Sequence, residues 1–442
     1  MQISKNKKYQ YLFFFILIIY TIFNGGNSNL SIQINFILIS FLFLYCLKDK
    51  NYNLHLKIFY SKNKTSITFY LLFLCYLIFQ IIPMPTEFLK VFSPEKYNYL
   101  SKLNSDNMYV SISLFPSNSF FQIINFLTLF ILILILKMIF YTERHKNRLY
   151  LFLSLLGFFS SVIAIVFYLK GNPDFFIFKN SYYKNSSTGF FINRTVFAIF
   201  LLFCLISSLE LLRNLDVKLN KKNNDFFIKI YIRLFAIFIT VGIITSFSRI
   251  GNFLLLITVL FYMVNEFFLS KITNKSFKYT IILIFLFDIV ILGFYFGSSQ
   301  ILDRFALLEE EFFEVVNIND SLNRFQIIKF GLSQFYDFKF FGYGVGSFKT
   351  LFQINFANLD SYYANHAHSD IVEYLGELGL IGFIFLSLSI LKFFLNKHSY
   401  NFINLILFSY LLIILAFDFS LHMPIIQILF LMFFVLKKKL IS

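Results

Sequence analysis

The stretch NHAHSDIVEYLGE, Asn365 to Glu377, gathers His366 and His368 with Asp370, Glu373 and Glu377. Asp370, followed three positions later by Glu373, has the pattern of a helix start, so a helix is expected from Ile371. His368 then stands just outside the positive end of that helix, where the dipole favours an anion and disfavours protonation of imidazole. A neutral imidazole at such a place can act as a general base near pH 7. Two other readings use the same residues. The histidines can be interfacial polar groups, with Glu373 and Glu377 one turn apart on a capped and hydrated helix start. Alternatively, H-x-H-x-D is a spacing found in metallohydrolases. Here Ile371 stands where a further histidine is expected, and His422 alone among the remaining histidines falls on the same side to assist. No metal is assigned.

Arginines are the second group suited to chemistry: Arg194 in GFFINRTVFAIF, Arg249 in SFSRIGNFLLL, Arg304, and Arg324 in DSLNRFQIIKFG. A guanidinium stays charged and offers two parallel hydrogen bonds to an oxyanion, so it suits a phosphate or diphosphate. A single arginine at a span end is equally an anchor. Several on one face together with histidines point to a ligand near the membrane surface.

These side chains sit in a chain of 442 residues that is 58% hydrophobic and 14% charged, with a mean hydropathy of +0.71. Soluble domains carry roughly 25% charged residues, so an all-α integral membrane protein is expected. About 12 spans of crossing length are predicted, near 10–24, 29–47, 66–84, 119–140, 148–169, 191–212, 227–247, 251–269, 279–297, 371–396, 401–418 and 421–437. The first reads as a retained span, because NGGNSNL offers no small-residue cleavage site. Spans that nearly abut, as around Ser248 to Gly251, must form helical hairpins.

Alternating spans put KNKK, the Lys48 to Lys64 connection, TERHKNR, the Arg213 to Asp225 connection, SKITNKSFK, KFFLNKHS and KKKLIS on one side. By the positive-inside rule that side is cytoplasmic. The net charge of +16 is thus a topology signal and implies no nucleic-acid partner. With Trp absent, Tyr must supply the interfacial aromatic anchors. Cys46, Cys75 and Cys204 fall in apolar runs and read as small core residues. Two outer segments exceed simple turns, Pro85 to Ser117 and Ser298 to His368. The second shows helical periodicity at Leu322, Phe325, Ile328 and Leu332 and is expected to form a small helical subdomain (298–368) within one polytopic domain (1–442). Gly376, Gly379 and Gly382 recur every third residue, as in close helix packing.

HSDIVEYLGELGLIG resembles the signature of the O-antigen ligase and polymerase family: His, then Asn, Ser or Gln, nine residues, and Gly-x-x-Gly. Here these are His368, Ser369, Asp370 to Leu378, Gly379 and Gly382. GFFINRTVFAIFLL is similar to the family's G-F-x-N-R-N-x-F-A segment, with Thr195 replacing Asn, and SFSRIGNFLLL to its S-R-G segment, with Ile250 replacing Gly. FGYGVGSFKT resembles its G-x-G-x-G-S-F loop, and QIIPMPTEFLKVFSP its approach to the outer loop. The likeness spans about residues 79–383.

The resemblance implies a GT-C-like, metal-independent glycosyltransferase without a cofactor, in the inner membrane of a bacterium with its site facing the periplasm. The donor would be a glycan on undecaprenyl diphosphate and the acceptor a lipid A core or another hydroxyl. His368 would activate that hydroxyl, and Arg194, Arg249 and Arg324 would hold the diphosphate. His366, Asp370, Glu373, Gly379 and Gly382 would support them. Ligation to core, polymerisation on the carrier and transfer to protein share this architecture; ligation is the leading expectation. A lipid or glycan transporter would suit intramembrane Asp288 but calls for an inverted repeat, and none is evident. Asp288 receives no role.

Overall fold

The structure, a computed structural model, describes residues 2–102, 109–174, 183–217, 225–269, 277–286, 324–355, 364–394 and 402–436. Asp288, Arg304, Leu322 and His398 lie outside the described residues, as do 298–323 and 356–363 of the second outer segment. The described chain is almost wholly helical: α1 (Gln2–Ile22), α2 (Asn29–Leu47), α3 (Lys50–Ile81), α4 (Thr86–Phe92), α5 (Pro94–Lys102), α6 (Pro116–Ile139), α7 (Glu143–Leu169), α8 (Arg194–Val217), α9 (Asp225–Thr245) and α10 (Arg249–Val264). After them come α11 (Phe277–Leu286), α12 (Arg324–Asp337), α13 (Phe348–Asn355), α14 (Asp370–Phe394), α15 (Phe402–Phe417) and α16 (Pro424–Leu436). One short antiparallel pairing joins β1 (Met84–Pro85) to β2 (Tyr109–Val110).

Eight helices among the described residues are long and apolar enough to cross a membrane: α2, α3, α6 to α10 and α14. The other four of the expected spans fall on α1, which carries Lys5, Lys7 and Lys8, on α11, which covers 279–286 of the span expected at 279–297 while 287–297 lie outside the described residues, and on the shorter apolar helices α15 and α16. The chain is thus a multi-pass, all-α membrane protein. α8 lies at its centre, with 94% of its apolar window buried, as befits a helix apolar on all sides. Phe203 of α8 packs against Tyr410 of α15 and Phe430 and Phe433 of α16. Peripheral helices turn large apolar groups outward, among them Phe41 and Leu44 of α2 and Phe253 and Leu256 of α10; lipid is the solvent that suits them.

Several local expectations change. The Lys48 to Lys64 stretch, read as a connection, is helical from Lys50 and merges with the third span through a kink at Asn63 (φ −126°, ψ 24°). Cys46 and Cys204 are buried as expected, but Cys75 is exposed on α3. On α12 the buried positions are Ile327, Gly331 and Gln334, whereas Phe325 and Leu332, part of the predicted apolar stripe, are exposed.

The feature that shapes the site is a break in α14 at Gly379 (φ 62°, ψ 179°), a backbone region essentially restricted to glycine. The break frees three carbonyls from the helix, and the neighbouring loop and α3 take them. Gly376 O accepts from Tyr343 N at 3.0 Å, Glu377 O from Gly344 N at 3.1 Å and from Gln80 Nε2 at 3.0 Å, and Leu378 O from the Tyr76 hydroxyl at 2.8 Å. Beyond the break, Leu380 N donates to Lys339 O at 2.8 Å. A Cβ on Gly379 would lie 2.4 Å from Phe340 O, and one on Gly382 2.5 Å from the Tyr76 ring. The recurring glycines therefore weld α14 to α3 and to the 338–346 loop. The Pro85 to Ser117 segment joins the same assembly: Leu114 N donates to Tyr343 O at 3.0 Å, and Asn355 Nδ2 of α13 to the Tyr99 hydroxyl at 2.6 Å.

Candidate functional site

The strap 364–369 leads into α14, and it is anchored on both sides of His368. Upstream, Glu373 takes both His366 and the Ala367 amide, with Oε1 2.9 Å from His366 Nδ1 and Oε2 accepting from Ala367 N at 2.8 Å. Downstream, the Ser369 hydroxyl donates to Leu415 O at 3.1 Å and Asp370 N donates to Asp418 O at 2.8 Å. Between these anchors His368 adopts a left-handed backbone (φ 57°), a conformation that persists in a non-glycine residue only where the surroundings impose it. The Phe419 ring lies between the imidazoles: His366 stacks on it at 4.6 Å and His368 meets it edge-on at 5.4 Å.

The helix start differs from the expected reciprocal cap. The helix begins at Asp370, whose carboxylate is spent elsewhere: Oδ2 accepts from Leu421 N at 2.9 Å and Oδ1 hydrogen-bonds His422 Nδ1. Glu373 reaches back past the helix start to Ala367 N, while Asp370 N donates to Asp418 O, so neither half of the reciprocal cap forms. The three carboxylates are not a hydrated surface, because Asp370, Glu373 and Glu377 are all essentially fully buried. Buried carboxylates need partners, and His422 is the principal one.

His422 was absent from the expected site residues except as a helper in the metal reading. It ends the short turn Ser420–His422 and stacks on Tyr374 at 4.2 Å. Its Nε2 faces Glu373 Oε1 at 3.5 Å and Glu377 Oε2 at 3.8 Å. Burial by itself would depress its pKa, yet Glu373 and Asp370 around it hold the imidazole well above the ordinary histidine value. Burial raises the pKa of Asp418 on the same turn, offset by its bond from the Ser420 hydroxyl and by nearby Arg324. The signal for this turn lies in DFSLH, a polar interruption between two apolar helices.

The structure pairs Arg194 and Arg249 through their neighbours. Each opens a helix, α8 and α10, and the Ser248 hydroxyl donates to the Thr195 hydroxyl at 3.1 Å. A Cβ on Gly251 would lie 2.4 Å from Ala198 Cβ, so Gly251 lets the two helix starts approach. Arg194 also lies over the Tyr183 ring at 5.2 Å. Arg324 belongs to the other group, exposed at the start of α12 and close to Asp418. Arginine and histidine groups share one end of the bundle: just before Arg194, Ile192 N donates to Asn24 Oδ1 at 2.9 Å, and a Cβ on the adjoining Gly25 would lie 2.7 Å from Ile425 at the start of α16, next to His422.

Residues 234–387 match the O-antigen ligase family. The matched segment runs from α9 into α14 and contains Arg249, Arg324, His366, His368, Asp370, Glu373, Gly379 and Gly382; Arg194 precedes it. No curated protein matches the chain. That match, set among membrane-crossing helices, supports a membrane glycosyltransferase-like role; the family in general terms acts on a lipid-linked glycan and an acceptor.

Proposed function

We propose that the protein is an O-antigen ligase that moves a glycan from undecaprenyl diphosphate to a lipid A core acceptor at the periplasmic face of the inner membrane. The observation that carries this reading is His368, fixed between two anchors at the start of α14 on the end of the bundle that also holds Arg194 and Arg249. In the proposed step, His368 removes the acceptor hydroxyl's proton as its oxygen bonds to the anomeric carbon. The bond from that carbon to the diphosphate oxygen breaks, and undecaprenyl diphosphate leaves. Arg194 and Arg249, with Arg324, take up the charge that develops on the leaving group. Positioning and charge stabilisation suffice for so good a leaving group, so no metal and no cofactor is assigned to the reacting atoms.

Deletion of the gene, followed by separation of surface lipopolysaccharide from lipid-linked glycan, tests the reading. Loss of core-attached chains while long glycan accumulates on the carrier is expected. Single repeats remaining attached to core would identify a polymerase instead, and an unchanged lipopolysaccharide profile with unglycosylated protein would identify transfer to protein. The sidedness is tested separately: a cysteine replacing Ser101 should react with an impermeant reagent in spheroplasts, and one replacing Asn53 should not. The reverse result would place the site on the wrong side for this donor.

A further inference from the structure

We propose that His366, Glu373 and His422, with Glu377 beside His422, form a binding site for a zinc-type divalent cation set behind His368, away from the reacting atoms. The inference does not depend on which transfer reaction the chain performs. One ligand atom each from His366, Glu373 and His422 lie within 4.8 Å of one another. The observed separations are 2.9 Å from His366 Nδ1 to Glu373 Oε1, 3.5 Å from that oxygen to His422 Nε2, and 3.8 Å from His422 Nε2 to Glu377 Oε2. Zinc bonds of about 2.0–2.2 Å to nitrogen and oxygen give tetrahedral edges of about 3.3–3.6 Å. His366, Glu373 and His422 therefore stand at ligand spacing around one position once the direct His366–Glu373 hydrogen bond opens, with Glu377 Oε2 next to His422 Nε2.

The second observation is that the inward atoms of the deepest members are unsatisfied. His422 Nε2 and Glu377 Oε2 are buried and make no hydrogen bond, although each faces the other across the site. Their outward atoms, by contrast, are committed. His422 Nδ1 bonds Asp370, Glu373 Oε2 accepts from Ala367 N, and Glu377 Oε1 accepts from Phe348 N at 3.4 Å. A carboxylate on the far nitrogen of a histidine fixes its tautomer and ring orientation, the usual support for a metal-binding imidazole. Asp370, Glu373 and Glu377 also place three buried carboxylates against two imidazoles, a deficit of positive charge that a divalent ion offsets. His366, at 22% exposure, gives the site its route to solvent. Such an ion would join the strap, α14 and the 418–422 turn, the three segments that fix His368 on both sides.

The test uses full-length protein purified through a tag without histidine and kept in nanodiscs. Elemental analysis should find about one equivalent of zinc, and chelator-stripped protein should take up Co2+ with the intense visible bands of a four-coordinate site. The bands should vanish in the His366→Ala/His422→Ala double variant, and Asp370→Asn should weaken cation affinity about 10- to 100-fold. His368→Ala should keep the metal while losing transfer, which separates failure of this site from failure of the transfer reading. Wild-type protein with no stoichiometric zinc and no cobalt bands on titration would overturn the proposal and leave a second proton on His422 as the occupant. Bands that persist in the double variant would overturn it equally.

Discussion

The helix starts at Arg194 and Arg249 and the helix start at Asp370 share one end of the bundle, but they are built with opposite charge. α8 and α10 are capped by neutral groups: the Asn193 side-chain oxygen accepts from Thr195 N at 2.7 Å, and the Ser248 hydroxyl accepts from Gly251 N at 3.1 Å. Neither cap consumes the positive potential of the helix ends, to which two guanidiniums are added. α14 instead begins with buried Asp370 and Glu373, which absorb that potential and hold the strap. One region suits the reception of an anion and the other the fixing of a base. A transfer from a diphosphate to a hydroxyl calls for both.

The largest effect should come from the base. His368→Ala is expected to cut transfer by roughly 100-fold or more, the scale of a lost general base, with expression and melting behaviour retained. His366→Ala should cost less, because that ring orients the strap and does not meet the acceptor. Purified protein with a defined lipid-linked donor and acceptor decides the matter: near-normal turnover of His368→Ala would leave the strap a purely structural device.

The arginine region should respond less steeply and in a different parameter. Losing a charge-assisted fork costs about 1.5–3 kcal/mol, so Arg194→Ala or Arg249→Ala should reduce kcat/KM about 10- to 100-fold. Lysine should restore part of the loss, since it supplies charge without the fork. Unchanged donor binding and turnover in both alanine variants would make these arginines membrane anchors and dissolve the comparison.

A milder change probes how the arginines are positioned. Ser248→Ala keeps Arg249 but removes the cap of α10 and the tie to Thr195. An N-cap contributes about 0.5–2 kcal/mol, so a several-fold fall in kcat/KM, smaller than that of Arg249→Ala, is expected. Kinetics identical to wild type would mean that the cap does not position Arg249.

Much of this contrast was legible in the sequence, though unevenly. Long apolar runs fixed the positions of α2, α6 to α9 and α14 because lipid imposes both length and composition on a span. The His368 motif and the arginine helix starts were found because their residue types are rare in such a chain. His422 was not, since its partner Asp370 is distant in sequence and pairing across α14 and the 418–422 turn is a tertiary fact. The glycine repeat suggested helix packing, which Gly382 satisfies against Tyr76. Gly379 does something periodicity does not encode, because a helix break and a packing contact call for the same residue. Likewise, Phe325 and Leu332 fit a helical stripe, but periodicity does not say which stripe faces protein and which faces outward.

The smallest expected effect concerns a buried cation held without acid. Lys96 of α5 is buried and donates to Ser111 O at 2.7 Å and Ser113 O at 2.5 Å. These neutral carbonyls do not offset burial, which pushes its pKa down to about 8, whereas the carboxylates around His422 hold that imidazole up. An unfolded lysine keeps its proton to about pH 10.4. Between about pH 8 and that value the unfolded chain binds the proton that the folded chain has shed, so Lys96 adds stability as pH rises; below pH 8 its burial cost is present in full. Lys96→Met lacks this dependence. The melting temperature of wild type relative to Lys96→Met should therefore climb from pH 8 to pH 10, by on the order of 2 °C for each kcal/mol regained. A difference that stays flat over that range would mean that Lys96 is solvated.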